Sequence, residues 1–338
     1  MLRHSPRDLV LALCCFSMLF LVSCALADAG PGSPLERANA LLATHLSEEG
    51  GYFVQITDTH IGGGAEEEPA NNLFADRHPS ERLRRLLTYL CGLDPEPDFL
   101  LVTGDLTDHG GAEELTRFLK ILDEEWTLPV RLVRGNHDWD LEVFLEAVAG
   151  RPEVEDERMA RTGYCYAFDY WGARAIVLDS EEYQAGSPQA QWLEREIAQA
   201  GDTPVLPISH RQVLPTGTPL VDNWGGGAAQ ADGKALLESL RRAQHLLPFL
   251  CGHVHYTSRN DSDGFTQLTL TSSFYAVEDL SNKEGPLRAR LCHVAGGELR
   301  WTALTDADGD TELEWQASAE NEEAAAEGAG VAPAAAAG

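Results

Sequence analysis

Three times in the first half of the chain, a short apolar run with strand character breaks off at a polar cluster. Residues 51–57 lead into Asp58-Thr59-His60, residues 98–103 into Gly104-Asp105, and residues 129–134 into Gly135-Asn136-His137-Asp138. Between them, residues 81–93 and 113–125 carry helix-forming side chains with the apolar positions on one face. Strands alternating with amphipathic helices specify an α/β sheet, and polar residues at strand ends place chemistry at the sheet's carboxyl edge. The pattern continues with a strand at 173–178 and a helix starting at 189–197, with Trp192 and Leu193 on its buried side. A strand at 203–208 delivers His210, and one at 246–250 delivers Gly252-His253-Val254-His255. Runs at 265–271, 287–294 and 298–305 read as mixed or antiparallel strands, and no repeat period is present.

The ends of the chain differ from this middle. Arg3 and Arg7 precede an apolar run over residues 9–22, which has the charge order and length of an export signal and is short for a membrane span. Leu21-Val22-Ser23-Cys24 resembles a bacterial lipobox, which implies cleavage before Cys24 and membrane attachment through its lipidated thiol. Ala25-Leu26-Ala27 offers a competing cleavage site, and with it a soluble exported protein. The expected organisation is a signal over 1–23, a lead-in over 24–48, a catalytic domain over 49–305 and an acidic, Ala/Gly-rich disordered tail over 306–338. The expected location is the cell envelope, as a periplasmic or outer-surface lipoprotein, or outside the cell as a soluble form. Asp306, Asp308 and Asp310 lack the spacing of a calcium loop and read as a solvated turn.

With 54 acidic against 25 basic residues the formal charge is −29, which argues against a surface built for a phosphate polymer. The tail does not account for this, since residues 24–302 alone carry −21. Specific nucleic-acid binding is therefore not expected. Cys91, Cys165, Cys251 and Cys292 are too irregularly spaced for a zinc motif and read as buried thiols.

The polar clusters share one chemistry. Asp58, His60, Asp105, Asn136, His210, His253 and His255 offer hard carboxylate and amide oxygens beside imidazole nitrogens, a donor mixture suited to Mn, Fe or Zn. On an extended segment the one-residue gaps of Asp58/His60 and His253/His255 would aim both members of each pair at a common cavity. Neither Gly62-Gly63-Gly64 nor Gly225-Gly226-Gly227 fits a dinucleotide fingerprint or a P-loop, and both read as flexible loop breaks.

In order, these blocks read D-x-H, GD, GNH, a later His, and GHxH. Over residues 51 to 258 this series resembles the calcineurin-like metallophosphoesterase family, and QITDTHIG, LLVTGDLTDHG and CGHVH resemble its bacterial cyclic-nucleotide phosphodiesterase-like members. The resemblance implies an α/β, four-layer α-β-β-α sandwich, with two mixed sheets flanked by helices. It implies two divalent ions: Asp58, His60, Asp105 and His255 around one, with Asp105 bridging to a second held by Asn136, His210 and His253. It further implies a phosphodiesterase in which a hydroxide between the ions attacks phosphorus and His137 protonates the departing oxygen. A phosphomonoesterase or nucleotidase is the alternative, and a non-catalytic binder of phosphorylated ligands a more distant one; the expected partner is a small or exposed phosphoester. Ser209-His210-Arg211 departs from the consecutive histidines of close relatives, which puts specificity in question, and no tyrosine follows Asp105 as in purple acid phosphatases. Around the cleft, His109 is a candidate for substrate contact or a surface histidine, Arg211 for a phosphate clamp or an exposed loop arginine, and Trp224 for stacking on a ring or shielding an apolar loop. Asp138 is expected to orient a neighbouring imidazole or cap local structure, and Asn71, Asn72 and Arg82 to shape the cleft or serve helix start and surface packing.

Overall fold

The computed structural model describes residues 32–46, 50–67, 77–149, 151, 163–216, 227–275, 286–306 and 314–317. Two six-stranded mixed sheets form the centre of the fold. The first contains β1 (Gly50–Ile56), β2 (Leu100–Thr103), β3 (Val130–Val133), β10 (Arg288–Ala295), β11 (Glu298–Thr305) and β12 (Gln316–Ala317), in the order β12-β11-β10-β1-β2-β3. The second contains β4 (Tyr166–Tyr170), β5 (Ala173–Val177), β6 (Val205–Ile208), β7 (Phe249–Cys251), β8 (Ser258–Ser262) and β9 (Phe265–Thr269), in the order β4-β5-β6-β7-β9-β8. The strands β1, β2 and β3 are parallel, as are β5, β6, β7 and β9, while the remaining pairings are antiparallel. This is the expected pair of mixed sheets.

Helices cover both outer faces. α2 (Pro79–Leu90) and α3 (Ala112–Glu125) bury Leu83, Leu86, Leu87, Leu115, Phe118 and Leu122 in the core cluster that also takes in β1, β2 and β3. α5 (Pro188–Ala200) and α6 (Gly227–Leu240) build a second cluster with Trp192, Leu193, Leu236 and Leu240 against Ile176, Val205 and Phe249. Trp192 and Leu193 are buried as the helical pattern predicts. α4 (Leu141–Val148) follows β3 and is capped by Asp140, whose side chain accepts from Val143 N–H.

Two stretches differ from the sequence reading. α1 (Pro34–His45) lies inside the presumed lead-in; Ser33 caps it, Pro34 fits its first turn, and Leu35, Ala38 and Leu42 are buried in the core. The pair Gln316–Ala317 extends the first sheet from within the presumed tail, where Trp301 Nε1–H donates to Gln316 Oε1 at 2.9 Å and Trp315 packs on the core. Residues 1–23, Cys24, Asn71, Asn72, Trp224, Asp308 and Asp310 lie outside the described residues. No helix among the described residues is long and apolar enough to cross a membrane. The four described body cysteines are free thiols; Cys165, Cys251 and Cys292 are buried as expected, whereas Cys91 is only half-buried.

Between the sheets runs a polar pin. Arg290 of β10 is buried and donates to Gln55 Oε1 on β1 at 2.8 Å, and across the sheet interface to the Leu268 and Thr269 carbonyls at 3.3 and 2.5 Å. Gln55 in turn donates to Thr103 Oγ1 and to the Cys251 carbonyl. Burial pushes the Arg290 pKa down, and carbonyl and amide oxygens are the guanidinium's acceptors here. Replacing Arg290 with Met would leave these buried acceptors without their donor and should destabilise the protein by about 2–4 kcal/mol. An unchanged urea midpoint would show that the pin does not hold the sheets together.

Candidate metal centre

The site forms where parallel strands of both sheets end. Asp58 and His60 follow β1, Asp105 follows β2, Asn136 and His137 follow β3, His210 follows β6, and His253 and His255 follow β7. The loops after β1 and β2 run side by side, with Asp58, His60 and Ile61 N–H donating to the Gly104, Asp105 and Leu106 carbonyls at 2.9, 3.0 and 3.0 Å. This pairing sets the direction of the two side chains. Asp58 and His60 do not converge by strand alternation: they lie beyond β1 with φ of 51° and 46°. Asp105, His253 and His255 also have positive φ, at 48°, 70° and 51°. Side chains other than glycine rarely adopt this region, and non-glycine residues held there concentrate at functional sites.

The motif glycines have a steric cause. A Cβ on Gly104 would lie 2.4 Å from His210 Nδ1, one on Gly135 2.2 Å from Asp105 Oδ1, and one on Gly252 2.0 Å from Thr57 Oγ1. Each glycine therefore lets one strand-end loop press against another, bringing the ligand-type side chains together.

Three groups result. Ligand-type atoms of Asp58, His60, Asp105 and His255 lie within 4.8 Å of one another, as do those of Asp105, His210 and His253, and those of His60, Asp108 and His137. Asp105 belongs to the first two. His210 Nε2 lies 3.2 Å from Asp105 Oδ2 and 3.1 Å from Asn136 Oδ1, which brings Asn136 to the second group. All seven ligand candidates read from the sequence are thus gathered. The burial and donor set fit divalent cations. His253 Nδ1 is buried without a hydrogen-bond partner, and His60 Nε2 faces His255 Nε2 at 3.1 Å, two imidazole nitrogens that share at most one proton when neutral.

Neighbouring groups hold these rings in place. His60 Nδ1–H donates to Asp108 Oδ1 at 2.8 Å and His210 Nδ1–H to the Thr103 carbonyl at 2.8 Å, which turns each Nε2 toward Asp105. Burial alone would raise the Asp105 pKa, but His210, His60 and His137 hold its carboxyl well below the usual range. Burial would likewise lower His210, which Asp105 and Asp58 instead raise to about 9. Burial, with His210 and Arg211 nearby, pushes His253 well below its ordinary value.

His137 sits on the open side. Its Nδ1–H donates to the Asp108 carbonyl at 2.7 Å, which leaves Nε2 as the other nitrogen, and its backbone N–H donates to Asp105 Oδ1 at 2.8 Å. The ring is 4.7 Å from that of His60 and the side chain 41% exposed, so a group bound over the cluster can reach it. Asp138, by contrast, is a clasp. It accepts from Leu106, Thr107 and Gly135 N–H and from Thr107 Oγ1–H, tying the loops after β2 and β3 together, while burial and Asp105 push its pKa up to about 6. His109 is turned to Glu114 and half exposed, and Arg82 donates to the Ser273 carbonyl.

Sequence reasoning missed Asp108, Arg134 and Tyr275. Asp108 lies three residues past Asp105, and the only signal for it was a carboxylate in the same loop. Buried Arg134 donates to the Asp138 and Trp139 carbonyls and grips Asp179 at 3.1 and 3.2 Å, anchoring the His137 loop to the end of β5. The Tyr275 ring lies 4.1 Å from that of His255.

A model of the family described as calcineurin-like phosphoesterase matches residues 51–257. The chain is 29% identical over 199 residues to glycerophosphodiester phosphodiesterase GpdQ of Enterobacter lignolyticus, covering 57% of this chain and 68% of the relative. It is 29% identical over 248 residues to a probable cyclic nucleotide phosphodiesterase of Rhodococcus erythropolis, covering 71% and 76%. Among solved structures, a dimetal phosphatase from Danio rerio superposes with a TM-score of 0.55 at 17% identity, covering 78% of this chain and 98% of that one. A purple acid phosphatase from yellow lupin superposes at 0.57 and 15%, covering 78% and 52%. At these identities the structural likeness speaks for the fold alone. The family match spans most of the described core and every strand-end block of the site: the chain belongs to the calcineurin-like phosphoesterase family.

Proposed function

We propose that this protein is a binuclear phosphodiesterase acting on a small phosphodiester. The observation that carries the reading is the single carboxylate of Asp105, common to the Asp58/His60/His255 group and the His210/His253 group. Two divalent ions drawn from Mn, Fe and Zn would be held by these residues and Asn136, and when bound would supply charge neutralisation for phosphoryl oxygens and acidify water. His137 keeps its Nδ1–H on the Asp108 carbonyl, which leaves Nε2 on the open side for proton transfer to the departing oxygen. Asp108 and Thr103 fix the orientation of His60 and His210. A diester is favoured over a monoester by the phosphodiesterase relatives and by the excess of acidic side chains, which repels a more highly charged ester. Export and attachment through Cys24 complete the proposal on the strength of the N-terminal sequence.

Bis-para-nitrophenyl phosphate and para-nitrophenyl phosphate, compared on metal-reconstituted protein, test the substrate class. Faster diester turnover is expected, whereas monoester turnover without diester turnover would overturn it. Replacing His137 with Ala should lower kcat by roughly 10²–10⁴-fold with metal content unchanged; unaltered turnover removes the assigned proton donor. Replacing Asp105 with Ala should cost both ions, so a variant that retains two ions contradicts the shared ligand.

The pH dependence of stability gives an independent check. The folded pKa of His210, about 9, lies above the ordinary value. In chelator-treated protein its contribution is therefore complete below about pH 6.5 and is lost as the pH rises through about 9. The melting temperature should fall by roughly a few degrees over that range. Excess Mn²⁺ should flatten or reverse the trend, because ligation requires neutral imidazole. A melting temperature that rises with pH in the chelated protein would contradict the Asp105–His210 pairing.

A further inference from the structure

Arg211 stands directly after His210, where the sequence departs from its resemblance. Its guanidinium is gripped by Glu181 in two-pronged fashion, Nε to Oε1 at 2.7 Å and Nη2 to Oε2 at 3.2 Å. Glu181 is itself placed by its N–H, which donates to Asp179 Oδ1 at 3.0 Å, and Asp179 is the carboxylate that Arg134 holds. Both partners are largely covered, with side chains 14% and 20% exposed. The remaining edge of the guanidinium points into the site: Arg211 Nη1 donates to His253 Nε2 at 3.1 Å.

That last contact is incompatible with His253 acting as a metal ligand. If an ion takes Nε2, it occupies the lone pair that Arg211 uses. If it takes Nδ1, the neutral ring carries its proton on Nε2, and two N–H donors then face each other. In either case Nη1 must give up His253, while Nε and Nη2 can stay on Glu181. The freed edge then lies beside the Asp105/His210/His253 group, with fork geometry suited to an anionic phosphoryl oxygen.

We propose that the Glu181–Arg211 pair is a metal-gated phosphate clamp, in which an ion at His253 turns the Nη1 edge of Arg211 from that imidazole to a phosphoryl oxygen of the substrate. The inference rests on the hydrolase reading above and adds to it a substrate-binding residue. Arg211 competes with the ion for His253 and then assists the ester that the ion helps to bind.

The test uses the full chain, with Mn²⁺ binding to chelator-treated protein followed by calorimetry and inorganic phosphate binding measured at saturating Mn²⁺. Arg211→Met removes both the charge and the hydrogen bond. Arg211→Lys keeps the charge but cannot hold Glu181 bidentately and reach His253 at once. Both variants should bind the second Mn²⁺ about tenfold more tightly, the scale of one charge-assisted hydrogen bond, and should bind phosphate about tenfold more weakly. Tighter Mn²⁺ binding in the Met variant alone would mean simple charge repulsion and overturn the clamp. A change in only one of the two readouts overturns the coupling. Wild-type protein that binds two Mn²⁺ and hydrolyses bis-para-nitrophenyl phosphate, with both variants indistinguishable from it, removes the clamp and leaves the hydrolase reading standing. Wild-type protein that binds no Mn²⁺ removes both.

Discussion

Asp105 is the constraint to which the rest of the site is fitted. One buried carboxylate faces His60 at 3.7 Å and His210 at 3.2 Å, and also accepts the His137 backbone N–H. Burial makes such a charge costly unless it is paired, and the imidazoles that pair it are those of the ligand-type groups on either side. Two loops must also come close enough to share it. Gly104 lets His210 approach from behind, and Gly135 gives the third loop room against Asp105 itself.

The left-handed backbone of Asp58, His60, Asp105, His253 and His255 shows how that crowding is accommodated. Positive φ at such residues is unfavourable, and it persists where surrounding contacts over-determine the conformation. Here the contacts are visible: the loops after β1 and β2 hydrogen-bond along their length, Asp138 ties the loop after β2 to that after β3, and Ser272 Oγ–H donates to the Asp58 carbonyl. Arg134 and Asp179 then link this assembly to the second sheet, and Arg290 pins the two sheets together behind it.

Much of this was legible in the sequence because the site residues sit where apolar runs stop. The strands β1, β2, β3, β6 and β7, and the ligand-type residues after them, follow from that punctuation. β8 was not legible, since Ser258–Ser262 is a polar, half-exposed run whose strand character comes from its ladder with β9. β12 is two residues long and is held by its antiparallel ladder with β11 and by the Trp301 side chain. Asp58 and His60 pair as their spacing suggests, but turn geometry and the neighbouring loop aim them, not strand alternation. Asp108 and Arg134 escaped notice because their contribution is a hydrogen bond to a residue 48 positions away or a grip on 45-residue-distant Asp179, and neither appears in local pattern.

Anomalous diffraction from crystals grown with Mn²⁺ tests the proposed sharing of Asp105 by two ions. Two peaks about 3.5–4 Å apart are expected on either side of the Asp105 carboxylate. One should lie among Asp58, His60 and His255, the other among Asn136, His210 and His253. A single peak, or a pair that does not share Asp105, would contradict it.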